Sequence, residues 1–294
     1  MKARIIEVGP RDGLQNERGV LPTDRKIGFV DALSSTGVDE IEVTAFVSPK
    51  WVPQLADASE VFARIVRRPN VVYSALVPNE QGLDRALEVG ASKIAVFAAA
   101  SETFSRQNIN ATIAESMGRF VPVIRRARAA GLAIRGYIST AFWCPYEGRI
   151  APEKVVSVAT VLDALGVEEL SIGDTIGKAA TDDVERLLER LLPLIPAPRL
   201  AMHFHDTYGQ ALDNVACAWR HGIVAFDASV TGLGGCPYAP GAPGNVATES
   251  VVARLRREGA EVHVDAEALR RVGETLRASL SEFSGGASAA AASP

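Results

Sequence analysis

Short β-branched runs alternate along the chain with longer segments in which apolar residues recur every three or four positions. The runs fall at 3–8 (ARIIEV), 40–43 (EIEV), 71–77 (VVYSALV), 92–97 (SKIAVF), 133–140 (AIRGYIST), 168–172 (EELSI), 200–205 (LAMHFH) and 225–230 (AFDASV). Each reads as a buried strand. The segments between them read as amphipathic helices: TDDVERLLERLLPLI repeats leucine on one face behind Thr181 as N-cap, and PEKVVSVATVLDALG opens at Pro152 and stops at Gly166. Pro122 lies inside a third helical pattern, which predicts a kink or a break there. Eight βα units at similar spacing, with no break in composition, favour a closed (β/α)8 barrel over a doubly wound open sheet.

Length agrees with that reading, since 294 residues suit one (β/α)8 unit. A single catalytic domain is expected over 1–283, including a C-terminal helical segment. The small-residue stretch over 284–294 is expected to be a disordered tail. With 47% apolar and 22% charged residues, the chain can bury a large core. A net charge of −4 argues against a nucleic-acid surface, and no apolar run reaches membrane-spanning length. Three widely spaced cysteines form no paired motif, and the first strand starts two residues after Met1, so a cytoplasmic protein without a leader is expected.

In a barrel of this type, chemistry sits just after each strand. The strongest signal is MHFHDTYGQ, where the period of two sends His203 and His205 to one face of a strand, as a shared metal requires. Further ligands must come from other strand ends, and Asp12, Glu42, Asp174, Asp206 and Asn245 all qualify on spacing. Asp12 follows Arg11 in EVGPRDGLQNE; the pair is either a ligand beside its counter-ion or a turn-stabilising Asp beside an exposed Arg. The stretch GLGGCPYAPGAPGN, residues 232–245, combines glycine hinges with proline stiffening and reads as a lid carrying Cys236. A thiol there could move a proton once the lid closes.

Taken in order, VGPRDGLQNE, EVTAFVSPKWVPQ, SETFSRQNIN, CPYEG, GDTIG, HFHDTYGQALDN and GLGGCPYAPGAPGNVATE resemble the 3-hydroxy-3-methylglutaryl-CoA lyase family, from about residue 3 to about residue 255. The resemblance implies a (β/α)8 barrel with its active site at the C-terminal ends of the strands. It makes Asp12, His203, His205 and Asn245 the ligands of Mg²⁺ or Mn²⁺, an oxygen and nitrogen set that suits a hard cation. The implied reaction is a metal-assisted retro-Claisen cleavage of (S)-3-hydroxy-3-methylglutaryl-CoA to acetyl-CoA and acetoacetate, as in leucine breakdown and ketone-body formation. Arg11 would bind substrate at the thioester carbonyl, where enolate charge develops. Asp174 or Glu42 would act on the tertiary hydroxyl as base or orienting partner, and Cys236 would protonate the enolate. Glu249, four residues beyond Asn245, would orient that ligand or hold the lid.

The partners implied are an acyl-CoA substrate and a second copy of the chain in a homodimer, with neither nucleic acid nor membrane. The alternatives are a relative cleaving a bulkier 3-hydroxyglutaryl-CoA, a Claisen-type synthase, and a catalytically dead barrel that binds metal or CoA. KAATDD after GDTIG and Gln107 in SRQNIN depart from the family's commoner residues, and neither lies in the ligand set.

Overall fold

Each of the eight apolar runs is a strand, and together they form a closed parallel barrel. The structure, a computed structural model, describes residues 1–17, 19–235 and 244–284. The strands are β1 (Arg4–Glu7), β2 (Glu40–Ala45), β3 (Val72–Leu76), β4 (Lys93–Ala99), β5 (Ala133–Ser139), the short hairpin β6 (Trp143–Cys144) and β7 (Gly148–Arg149), β8 (Glu169–Asp174), β9 (Leu200–Phe204) and β10 (Ala225–Ala228). The barrel runs β1-β10-β9-β8-β5-β4-β3-β2 and closes where β2 returns to β1, Ile6 opposite Glu40.

The helices are α1 (Thr23–Leu33), α2 (Ala58–Arg64), α3 (Glu80–Glu88), α4 (Glu102–Ile109), α5 (Ile113–Ala129), α6 (Pro152–Ala164), α7 (Thr181–Leu191), α8 (Ala211–Arg220), α9 (Thr248–Arg257) and α10 (Ala266–Ser284). Helix α7 shows why they pack outside the strands. Val184, Leu187, Leu188 and Leu191 form one buried stripe, and burying each is worth about 1.5–3 kcal/mol.

One local expectation is corrected, and a second is narrowed to exclude a break. Thr181 is the first helical residue of α7, and Ala180 occupies the cap position, its N–H donating to the Asp183 carboxylate. The chain needs no side-chain cap there, because Asp183 reaches back instead. Helix α5 runs unbroken through Pro122. The carbonyl that loses its donor belongs to Gly118 one turn earlier, which is exposed, so water can satisfy it. The tail expected over 284–294 lies, from residue 285, outside the described residues.

Strand alternation gives the barrel a polar interior. At the starts of the strands, Lys93 Nζ donates to Glu40 at 2.7 Å and to Glu169 at 3.1 Å, and Arg4 pairs with Glu169 at 2.8 Å. Each cation there has a carboxylate partner, the condition under which buried charge is tolerated. This ion cluster plugs the bottom of the barrel and leaves the other end for chemistry.

Candidate metal centre at the barrel mouth

The turn after β1 holds the first two site residues. Three successive N–H groups, of Arg11, Asp12 and Gly13, converge on the Val8 carbonyl in a tight π-helical turn, with Pro10 near its start. That winding turns Arg11 and Asp12 to the barrel axis. Arg11 is 7% exposed, which removes the reading of an exposed arginine beside a turn aspartate. Its Nε donates to Glu42 Oε2 and its Nη1 to Asp12 Oδ1, both at 2.6 Å, while the guanidinium lies 5.4 Å from the centre of the Tyr137 ring.

His203 and His205 share a face as their spacing requires, with ring centres 5.3 Å apart. Asp12, His203 and His205 each present a ligand atom, and those atoms lie within 4.8 Å of one another. Asn245 arrives from the other end of the chain, bridged to His205 through the backbone. Its Nδ2 donates to Asp12 Oδ2 at 2.8 Å and to the Leu233 carbonyl at 3.0 Å. Its Oδ1 is buried without a hydrogen-bond partner, as is His205 Nδ1. Unpartnered buried acceptors are costly unless something binds them. A carboxylate, two imidazoles and an amide oxygen with an open lone pair fit a hard divalent cation, so the residues present suit the metal that the sequence implies.

Backbone shape makes the approach possible. Gly234 has φ +100°, and a Cβ there would sit 2.9 Å from Asn245 Nδ2 and 3.0 Å from the Gly13 Cα. Only glycine lets the chain leading out of β10 lie against the Asp12 turn.

Electrostatics separate the acids. Burial raises the pKa of Asp12, but Arg11 and the two histidines overcome it and hold the carboxyl well below the usual carboxylate range. Burial pushes Glu42 up in spite of its pairing with Arg11. Asp174 is pushed up to about 7 by burial, against backbone hydrogen bonds from Ala179 and Lys178. Burial lowers His205 to about 4, helped by His203, so its ring is neutral at physiological pH and able to bind a cation.

The other expected residues are placed less directly. Asp174 is fully buried, and its two oxygens accept the N–H groups of Lys178 and Ala179, shaping the loop after β8. Glu249 accepts the N–H of Thr231 through both oxygens and so holds the turn after β10, where Thr231 has φ +62°. Asp206, a spacing candidate, accepts the N–H of Ala211 at the start of α8. Cys236, with residues 237–243 of the expected lid, lies outside the described residues.

Sequence reasoning missed Asp227, Arg135, Tyr137 and Glu7. Asp227 lies 3.2 Å from His203 Nδ1 and accepts Arg135 Nη2 at 2.5 Å. Tyr137 meets His203 edge-on, with ring centres 6.3 Å apart. Glu7 is fully buried, where it accepts the N–H groups of Gly9 and Val230 and the Thr248 hydroxyl. The two-residue period that selected the histidines also pairs Arg135 with Tyr137 on β5 and points Asp227 inward from β10, but that period alone does not show which partners these residues meet across the barrel.

The HMGL-like family model matches residues 2–276. A 3-hydroxy-3-isohexenylglutaryl-CoA/hydroxy-methylglutaryl-CoA lyase of Pseudomonas aeruginosa is 51% identical over 292 residues, covering 99% of this chain and 97% of the relative. The crystal structure of the Bacillus subtilis HMG-CoA lyase superposes with a TM-score of 0.94 at 46% identity, over 95% of this chain and 94% of that one. An HMG-CoA lyase from Acinetobacter baumannii, in complex with coenzyme A and 3-methylmalate, superposes with a TM-score of 0.91 at 38% identity, over 95% and 92%.

Proposed function

The chain belongs to the HMGL-like family, and from that premise we infer that it is a carbon–carbon lyase cleaving (S)-3-hydroxy-3-methylglutaryl-CoA to acetyl-CoA and acetoacetate. The observation that carries the reading is the contact of Arg11 with Asp12 beside His203 and His205 at the mouth of the barrel. A guanidinium adjoining a candidate cation site is what a reaction needs when it develops negative charge on one oxygen while another is being deprotonated.

Asp12, His203, His205 and Asn245 would hold the cation, which we take to be Mg²⁺ or Mn²⁺ from the absence of thiolate in the set. Once bound, it would supply Lewis-acid stabilisation at the substrate's tertiary hydroxyl, lowering that group's pKa. We assign the proton abstraction to Glu42, because its Oε1 is buried and without a hydrogen-bond partner, whereas Asp174 has both oxygens engaged by backbone N–H groups. Asp174 then acts by shaping the loop. Arg11, held in place by Glu42 and Asp12, meets the thioester carbonyl oxygen and stabilises the enolate released by cleavage. Cys236 returns a proton to the enolate carbon, giving acetyl-CoA. Glu249 braces the turn at Thr231 from which the Cys236 segment departs.

We further propose a cytoplasmic homodimer; among the described residues no helix is long and apolar enough to cross a membrane. Light scattering on the purified protein checks the dimer. The deciding experiment strips the protein of metal and follows acetoacetate from 3-hydroxy-3-methylglutaryl-CoA with and without added Mg²⁺ or Mn²⁺. Metal-restored cleavage is expected, in the degradative direction that leucine breakdown and ketone-body formation require. A folded, metal-loaded protein inert toward this substrate but active on the isohexenyl-branched one would overturn the assignment.

A further inference from the structure

We propose that Asp227 is a positioning residue that selects the tautomer of His203 and thereby turns the free nitrogen of that ring toward the cation site. The inference rests on the reading of His203 as a ligand. Asp227 stands opposite His203 in the pairing of β10 with β9, so the two side chains leave adjacent strands side by side into the barrel. Asp227 Oδ2 lies 3.2 Å from His203 Nδ1 and also accepts the Ser171 hydroxyl at 2.8 Å. Its Oδ1 accepts Arg135 Nη2 at 2.5 Å. An ionised carboxylate can only accept, so the imidazole nitrogen facing it must carry the proton.

The other nitrogen, Nε2, lies 4.0 Å from Asp12 Oδ2, on the side where the candidate ligands meet. Placing the proton on Nδ1 leaves the Nε2 lone pair open there, and an imidazole binds a cation only through an unprotonated nitrogen. Arg135 explains why a carboxylate can be kept at such depth. Arg135 and Asp227 are 1% and 2% exposed, and the guanidinium supplies the positive charge that an isolated buried carboxylate would lack. Arg135 is itself anchored below, its Nε 3.4 Å from Glu169. The row His203, Asp227, Arg135, Glu169 therefore ties the ligand to the ion cluster at the bottom of the barrel.

Two measurements test this. The first uses the intact, metal-free protein labelled with ¹⁵N-histidine: long-range ¹H–¹⁵N correlation spectra, taken above the pH at which the ring loses its charge, should show His203 protonated at Nδ1. An Nε2-protonated ring overturns the proposal without touching the ligand assignment. The second titrates Mn²⁺ into metal-free protein by electron paramagnetic resonance, comparing Asp227→Asn with His203→Ala. Asp227→Asn should weaken Mn²⁺ binding by about 10–100-fold, the usual effect of removing a ligand's hydrogen-bonding partner. Weakened binding in His203→Ala with wild-type affinity in Asp227→Asn would refute the positioning role. Wild-type affinity in His203→Ala would instead refute the ligand reading. Should Asp227→Asn fail to fold, the spectrum of the unmutated protein still decides.

Discussion

Arg11 bridges Asp12 and Glu42, donating to one through Nη1 and to the other through Nε, both at 2.6 Å. A planar guanidinium with two engaged edges is held in one orientation, and lysine could not reproduce that geometry. The substrate contact proposed for Arg11 would fall on the remaining edge. Replacing Arg11 with glutamine should lower kcat by about 10²–10³-fold, the range found when one oxyanion donor is removed. Mn²⁺ binding and the melting temperature should be largely retained, and steady-state kinetics alongside metal titration separate the effects. Unchanged turnover would exclude the enolate-stabilising role.

Glu42→Gln tests the base. Burial keeps this carboxyl above the ordinary glutamate range, so the wild-type enzyme should lose kcat on acidification at a pH higher than a solvated glutamate would set. In the variant that acidic limb should vanish along with about 10²–10⁴-fold of the rate. Persistence of the limb would return the role to Asp174, whose pKa of about 7 could produce it.

Asn245→Ala removes the amide whose oxygen is buried without a partner and whose nitrogen ties Asp12 to the chain after β10. Mn²⁺ affinity should fall by at least about tenfold, with the secondary structure unchanged by circular dichroism. Equal affinity in the variant would remove Asn245 from the ligand set.

Glu7 sets a pH dependence of stability distinct from that of catalysis. Burial lifts it from 4.5 to about 7, against hydrogen bonds from Thr248, Val230 and Gly9. An acid whose pKa is higher folded than unfolded favours the fold while protonated, so its contribution is full below about 4.5 and is lost as pH rises through about 7. Glu7→Gln removes the titration. The melting temperature of wild type relative to that variant should therefore be higher at pH 5 than at pH 8, and a difference that stays constant or grows with pH would contradict the burial argument.

How much of this was legible beforehand follows from what each signal measures. Periodicity located all eight barrel strands, because burial on both faces writes a β-branched run into the sequence. It allowed a kink or a break at Pro122, and the helix does not break there, since whether a proline breaks a helix depends on the solvent around the orphaned carbonyl of Gly118. Two of the candidate ligands, His203 and His205, were visible because they share one strand. Asp12 and Asn245 required the family resemblance, since residues 233 positions apart meet only through barrel closure. Asp227 went unread for a different reason: an acid in the middle of an apolar strand has meaning only once Arg135 and His203 are seen on either side of it.

The seam of the barrel has a consequence for synthesis. The first strand pairs with the last one, β10, and with β2, so Asp12 leaves the ribosome ahead of every barrel strand but β1, while its partner Asn245 follows only after every barrel strand has been made. A nascent chain that stops short of that point has Arg11 and Asp12 but cannot assemble the complete donor set. Competence of the proposed site to bind a cation would therefore be a late event in the life of each molecule, and a prematurely terminated polypeptide should remain unable to hold the ion tightly.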